Sequence, residues 1–324
     1  MAVSAGGKVN ASEYNAIYDI VQPVLAGPAP VDLTSSVSTI AYGQAMTSSR
    51  LTIPATSTKI TTTQWLGLRT DLLKCYNHQS SVNGNLMTPT TTTVIAAADY
   101  NTYLTMANTI AVNPKLFDSG YSTQSAWSVN NSTSITWGAS GRAVLRHRVF
   151  LNWTGRYNME YFFNSGGQIK FSSNMPGSYG ATTKNFSWQS ACSKMSTVVM
   201  NHNSTFNESP SDAPGTGSAI GMRQLTTTFQ KIYQKDASTY SPNRITIWAN
   251  LSNVGGAFSI TFDIQFEDLN APGGFGVDED VSGIITSTTQ IKYASGAGQV
   301  AMTGAQIPGG SLLSSMNVNA SSLY

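Results

Sequence analysis

Charge is what this chain lacks most. Of its 324 residues only 10% are Asp, Glu, Lys or Arg, where ordinary soluble domains carry roughly a quarter. The formal net charge is +2, so the chain has no global field for nucleic acid or an acidic bilayer; no nucleic-acid partner is expected, and any partner must be recognised locally. Cysteine is scarce too. Cys75 and Cys192 lie in what read as different domains, so two free, buried thiols are expected rather than a disulfide, and the redox compartment stays open. No window approaches eighteen apolar residues, which excludes a spanning helix, and MAVSAGGKVNASEY lacks the basic-then-apolar order of a secretion signal. The three histidines, His78, His147 and His202, share no zinc or triad spacing. NAPGGFG and GASGR lack the strand–loop–helix context of a phosphate loop and read as turns. No cofactor is expected.

Ser, Thr, Asn and Gly fill the place of charge. Surfaces solubilised by neutral hydrogen-bonding side chains occur in extracellular and virion proteins whose exposed area is largely covered by neighbouring subunits. The length allows two or three domains, each with its own core.

Residues 1–113 contain a helix start three times over: KVNASEYN from Lys8, KITTTQWL from Lys59 and VIAAADYN from Val94. In the first two, Asn10 or Thr61 can cap the helix while Glu13 or Gln64 reaches back to the cap's own amide, a capping box; Val9, Ile60 and Ile95 stand where a hydrophobic staple would meet Tyr14, Trp65 and Tyr100. Ala96 leaves the third copy without a cap. Apolar residues then recur near every 3.6 positions, predicting three amphipathic helices, the first and third ended by Pro23 and by Asn113-Pro114. Residues 114–140 read as a connector.

From 141 to 294 strands dominate. AFSITFDIQFED alternates Phe258, Ile260, Phe262, Ile264 and Phe266 with Ser259, Thr261, Asp263, Gln265 and Glu267, which predicts one core face and one polar, exposed face. RITIWANL, VLRHRVFLNW and RYNMEYFFN read as further strands, with Asn164-Ser165-Gly166-Gly167 reversing a hairpin. NFSWQSACSKM reads as the one helix, with Trp188, Ala191, Cys192 and Met195 inward. The expected fold class is thus α+β, mainly β: short helical repeats, then an antiparallel β-sandwich, then an extended tail over 295–324. The tail's apolar residues are too sparse for a core of their own, and they predict order only against the sheet edge or groove of a second copy, in a homo-oligomer.

Candidate chemistry is thin. Asp263, Glu267, Asp268, Asp278, Glu279 and Asp280 form the densest acidic cluster. A glycosidase needs two carboxylates facing across a cleft, which the strand pattern does not supply. Calcium ligation around Asp278–Asp280 stands as an alternative, although DEDVSG lacks the full ligand spacing of a known loop. Solvated strand ends and turns are the favoured reading. Arg142, Arg146, Arg148 and Arg156, with His147 between, form the basic concentration. It is a candidate patch for a phosphate-bearing glycan, a lipid headgroup or an acidic subunit, against a favoured solvated strand face.

Four blocks, YFFNSGGQIKFSS, NFSWQSACSKM, SAIGMRQLTTTFQKIYQKDASTYSPNRITIWANL and FSITFDIQFEDL, resemble in that order a β-domain of virion structural proteins from contractile-tailed bacteriophages, especially cyanophages. YGQAMTSSRLTIPATSTKITTTQWLGLRTDLLKCYNHQ, from Tyr42-Gly43-Gln44 to His78-Gln79, resembles the helical repeat that accompanies that domain. The resemblance implies a non-enzymatic tail, baseplate or fibre component, assembled in the host cytoplasm and residing in the virion. Its implied partners are other copies of itself, other virion proteins and, as a further candidate, host-surface glycan. It supplies no catalytic residue. A head decoration or neck protein of the same build, or a glycan-binding or glycan-cleaving appendage, are the alternatives.

Overall fold

The structure is a computed structural model and describes residues 9–27, 41–52, 60–80, 84–92, 94–112, 123–134, 143–177, 183–209, 214–237, 240, 242–254, 257–269, 281, 283–294, 300, 302 and 304–319. The fold is α+β, mostly β. Two compact units share the chain: the first takes in Met1–Gln124, Arg156–Gly166 and Tyr293–Gln306, the second Ser125–Gly155, Gly167–Lys292 and Ile307–Tyr324. Both compact units are discontinuous in sequence.

In the first unit, α1 (Ala11–Leu25) and α2 (Thr62–Gln79) both begin with complete capping boxes. The Ser12 amide donates to Asn10 Oδ1 at 2.9 Å and the Asn10 amide to Glu13 Oε2 at 3.1 Å. The Thr61 amide donates to Gln64 Oε1 at 2.7 Å and the Gln64 amide returns to Thr61 Oγ1 at 3.3 Å. At α3 (Ala97–Val112) half of the box survives the alanine: the Ala96 amide donates to Asp99 Oδ2 at 3.1 Å. These contacts satisfy amides that a helix start would otherwise leave orphaned. Pro23 does not end α1, which runs on to Leu25. A proline in the last turn forfeits only its own donor, and the helix closes at Gly27, at φ +72°, whose amide donates to Gln22 O.

Tyr14, Trp65 and Tyr100 are buried in one apolar core, with Val9, Ile60 and Ile95 half-buried against it. The edge of Tyr14 meets Trp65 at 5.4 Å between centroids, and Trp65 meets Tyr103 at the same distance. The indole is therefore the hub of three helices. Buried polar side chains fasten the segment that precedes α2. Asn15 both donates to Leu51 O (2.9 Å) and accepts from the Leu51 amide (2.8 Å). Asp71 accepts from the Thr47 and Ser48 amides and from Ser48 Oγ.

The two ends of the sequence block from Tyr42-Gly43-Gln44 to His78-Gln79 meet. Gln79 Nε2 donates to Tyr42 Oη at 2.9 Å and to Ile110 O at 3.0 Å, and the His78 ring stands on edge 4.8 Å from Tyr42. Gln306 Nε2 donates to the carbonyls of Tyr42 and Gly43. Gly43 sits at φ +67°, and a Cβ there would lie 2.1 Å from the Tyr161 ring, so both conformation and space require glycine.

Tyr161 belongs to α4 (Arg156–Asn164), the stretch RYNMEYFFN that reads as a strand in sequence. It is a helix in which Tyr157 and all of Met159–Asn164 are buried. A nine-residue run that buries Glu160 and Asn164 along with its aromatics shows neither period clearly. Accordingly Gly166, at φ +84°, ends a helix, with its amide donating to Phe163 O, and no hairpin is formed there.

The second unit holds two antiparallel sheets. The strands are β1 (Thr123–Ser134), β2 (Ala143–Trp153), β3 (Gln168–Asn174), β4 (Val198–Met200), β5 (Thr205–Asn207), β6 (Thr216–Gly217), β7 (Gln230–Asp236), β8 (Arg244–Val254), β9 (Ala257–Asp268), β10 (Ile284–Ala294) and β11 (Gly309–Asn319). One sheet has the order β1-β10-β3-β4-β5, the other β11-β2-β9-β8-β7-β6. Phe171 of β3 meets Phe262 of β9 edge to face at 4.9 Å. Helix α5 (Thr183–Met195) buries Trp188, Ala191, Cys192 and Met195, as its spacing predicts. The tail is paired within its own chain: β11 runs antiparallel to β2 from Gly309↔Asn152 to Asn319↔Ala143, and Val300 is buried in the helical core. The expectation that it orders only against another copy is corrected by this pairing, because the edge of β2 offers the same backbone groups in cis.

Two predictions follow from these cores. Trp65→Ala should cost about 3–5 kcal/mol in the full chain, as for a fully buried ring; chemical denaturation showing a loss below about 1 kcal/mol would place the indole outside the hub. Burial also holds His78 and His147 neutral, lowering each from its usual 6.5 to about 4. An unfolded chain binds these protons near 6.5 and the folded one only near 4, so stability should fall as pH drops through that window. Thermal melts across it test this, and a flat melting temperature between neutrality and about pH 5 would contradict it.

Candidate functional site

β9 is flanked by β2 and β8 along its length, and the register places charged residues in cross-strand rows on one face. Arg148 lies opposite Asp263, Asp263 opposite Trp248, and Trp248 opposite Lys231. The next row is Arg146, Gln265, Thr246 and Gln234; the third is Val144, Glu267, Arg244 and Asp236. Opposed residues share a face, so each row juxtaposes side chains.

The polar face of β9 is not exposed, as alternation alone predicts. Asp263 and Glu267 are both buried, because neighbouring long side chains lie across them. Arg146 Nη2 donates to Asp263 Oδ2 at 2.5 Å and Arg148 Nη2 to the same oxygen at 3.1 Å, joined by Gln265 Nε2 at 3.2 Å. Arg148 also stands 5.6 Å from the centre of the Phe229 ring. Glu267 accepts from Arg244 Nε at 2.8 Å and from Thr246 Oγ1, which in turn accepts from Trp248 Nε1. The cations are partly exposed, at 14% for Arg146, 30% for Arg148 and 34% for Arg244. The arginine stems shield the carboxylates while their heads reach water.

On the opposite face His147 is buried, with Nδ1 2.8 Å from Ser287 Oγ of β10 and its ring edge against Phe266. Asp268, in step with Phe266, lies 2.6 Å from Lys184 Nζ of α5, both side chains fully buried. Of the four arginines grouped in sequence, the structure brings together Arg146 and Arg148. Arg156 belongs to the first unit, where it pairs with Glu160 one turn on at 2.8 Å. Arg142 and the Asp278–Asp280 segment lie outside the described residues. Among the described residues no group of three His, Cys, Asp or Glu could hold a metal ion, and no helix is long and apolar enough to cross a membrane. Both thiols are buried and free; burial pushes Cys192 up to about 12 and Cys75 higher still, so neither offers a thiolate at neutral pH.

Chemically, the arrangement neutralises charge inside a sheet. A buried carboxylate with two guanidinium partners on a neighbouring strand is a good fixer of strand register. Sequence reasoning missed Lys184, Arg244 and Glu160. For Lys184 a signal existed: it lies four residues before Trp188, on the same face of a helix.

Asp263→Ala should therefore cost about 3–5 kcal/mol, since it leaves two guanidinium groups without their buried counter-charge. Asp19→Ala should change little, because Asp19 pairs with Arg50 in the open, both about half exposed. Equal losses for the two variants in urea denaturation would show that Asp263 is solvated. No family model, curated protein or solved structure matches the chain.

Proposed function

We propose that the protein is a non-enzymatic structural subunit of a contractile-tailed phage virion, placed in the tail, baseplate or fibre. In this reading the two sheets pack as a sandwich that makes lateral contacts to other copies of itself and to other virion proteins, and the helical unit serves attachment. The observation that carries the proposal is the use made of the acidic residues. Asp263 is held by Arg146 and Arg148, and Glu267 by Arg244. These carboxylates are engaged within the sheet itself, as a building block requires, whereas hydrolysis of a glycan needs two carboxyl groups facing each other across an open cleft. The charge-poor, Ser/Thr/Asn/Gly-rich surface and the ordered block resemblance support the same reading.

Immunogold labelling or cryo-microscopy of intact particles tests it. Density for the chain on tail, baseplate or fibre is the expected result; the chain on the head or neck would favour the alternative position, and its absence from particles would overturn the proposal. Purified host polysaccharide incubated with the protein should release no reducing ends. Release that disappears in Asp263→Asn would make it an enzyme.

A further inference from the structure

Lys184 and Asp268 are, among the described residues, the ion pair in which both side chains are wholly buried, with Nζ 2.6 Å from Oδ2. Three features make this a poor place for a lasting pair of charges. Lys184 is the second residue of α5, in the turn where the helix dipole disfavours a cation. Asp268 shares the inward face of β9 with Phe266, whose ring centroid lies 6.3 Å from that of Trp188, one turn along α5 from Lys184; both rings are buried. Full desolvation of two ions also offsets much of their attraction.

Moving one proton from the ammonium to the carboxylate removes both charges, and burial favours the neutral form of each group. What then remains is a desolvated primary amine, a competent nucleophile, held against a carboxylic acid. From this geometry we infer that Lys184 and Asp268 condense to an intramolecular isopeptide bond. The Nζ lone pair adds to Cγ of the protonated acid, the N–C bond forms, and one C–O bond breaks. The departing oxygen takes two protons, one from the amine and one from the acid, and leaves as water. No oxidant, metal or co-reactant is needed. Fixed proximity supplies the effective concentration that makes an uncatalysed amide condensation feasible, and the aromatic surround excludes the water that would reverse it. The product would tie α5 covalently to the end of β9, the strand flanked by β2 and β8 in the six-stranded sheet.

Intact-mass spectrometry of the full chain under denaturing conditions tests this directly. The expected mass is lower than the sequence mass by one water, and peptide mapping should give a branched peptide joining the segments that carry Lys184 and Asp268. Lys184→Arg, which cannot form the bond, should restore the full sequence mass, a readout that does not require the variant to fold. A wild-type chain at its full sequence mass, a water loss that persists in Lys184→Arg, or a loss mapped to a cyclised Asp or Asn elsewhere would each overturn the inference.

Discussion

A carboxylate with no exposure in the middle of a sheet sets the terms for the strands around it. Asp263 is that group, and its ionised form is tolerable because two guanidinium groups on β2 reach the same oxygen. The requirement fixes more than one contact. Because side chains alternate along a strand, a one-residue slip of β2 on β9 would carry Arg146 and Arg148 to the opposite face and bring His147 into their place, stranding the charge. Glu267 and Arg244 impose the same condition between β9 and β8. Register across three strands is thus specified by charge on one face and by Phe258, Ile260, Phe262, Ile264 and Phe266 on the other. A hydrophobic substitute would pack as well, but it would discriminate less well between registers.

The helical unit answers a different problem with the same means. Its α1, α2 and α3 run for 15, 18 and 16 residues, and helices of such length still gain most of their stability from packing. Trp65 supplies a shared apolar centre, while Asn15, Asp71, Gln79 and Gln306 bond irregular backbone that would otherwise be buried with its polar groups unmet. Those bonds draw in segments distant in sequence: Gln306 lies over 260 residues from Tyr42. β2 leads into α4 and α4 into β3, so the chain passes from the second unit into the first and back.

Much of this was legible in the sequence where a local rule applied. The capping boxes of α1 and α2, the alternation of β9 and the inward face of α5 each rest on residues within one turn or one strand. The misreadings mark where tertiary surroundings decide. RYNMEYFFN is buried over most of its circumference, which erases the periodicity that would mark a helix. Asp263 and Glu267 occupy the predicted polar face, but that face is covered by Arg146, Arg148 and Arg244 from neighbouring strands. The tail finds the edge of β2 in its own chain, a long-range pairing that composition cannot announce. Lys184 and Asp268 are separated by more than eighty residues, and only the fold brings them to 2.6 Å.

The central claim is that the acidic residues of β9 act on the protein's own sheet. A double-mutant cycle on Arg146 and Asp263, each replaced by Ala singly and together, measures it most directly, with the stability of all four chains determined by denaturation. The account predicts a coupling energy in the upper part of the ~0.5–3 kcal/mol range found for residues in one ion-pair network. Strict additivity would contradict it, since an Asp263 indifferent to its arginine is a carboxylate available for something else.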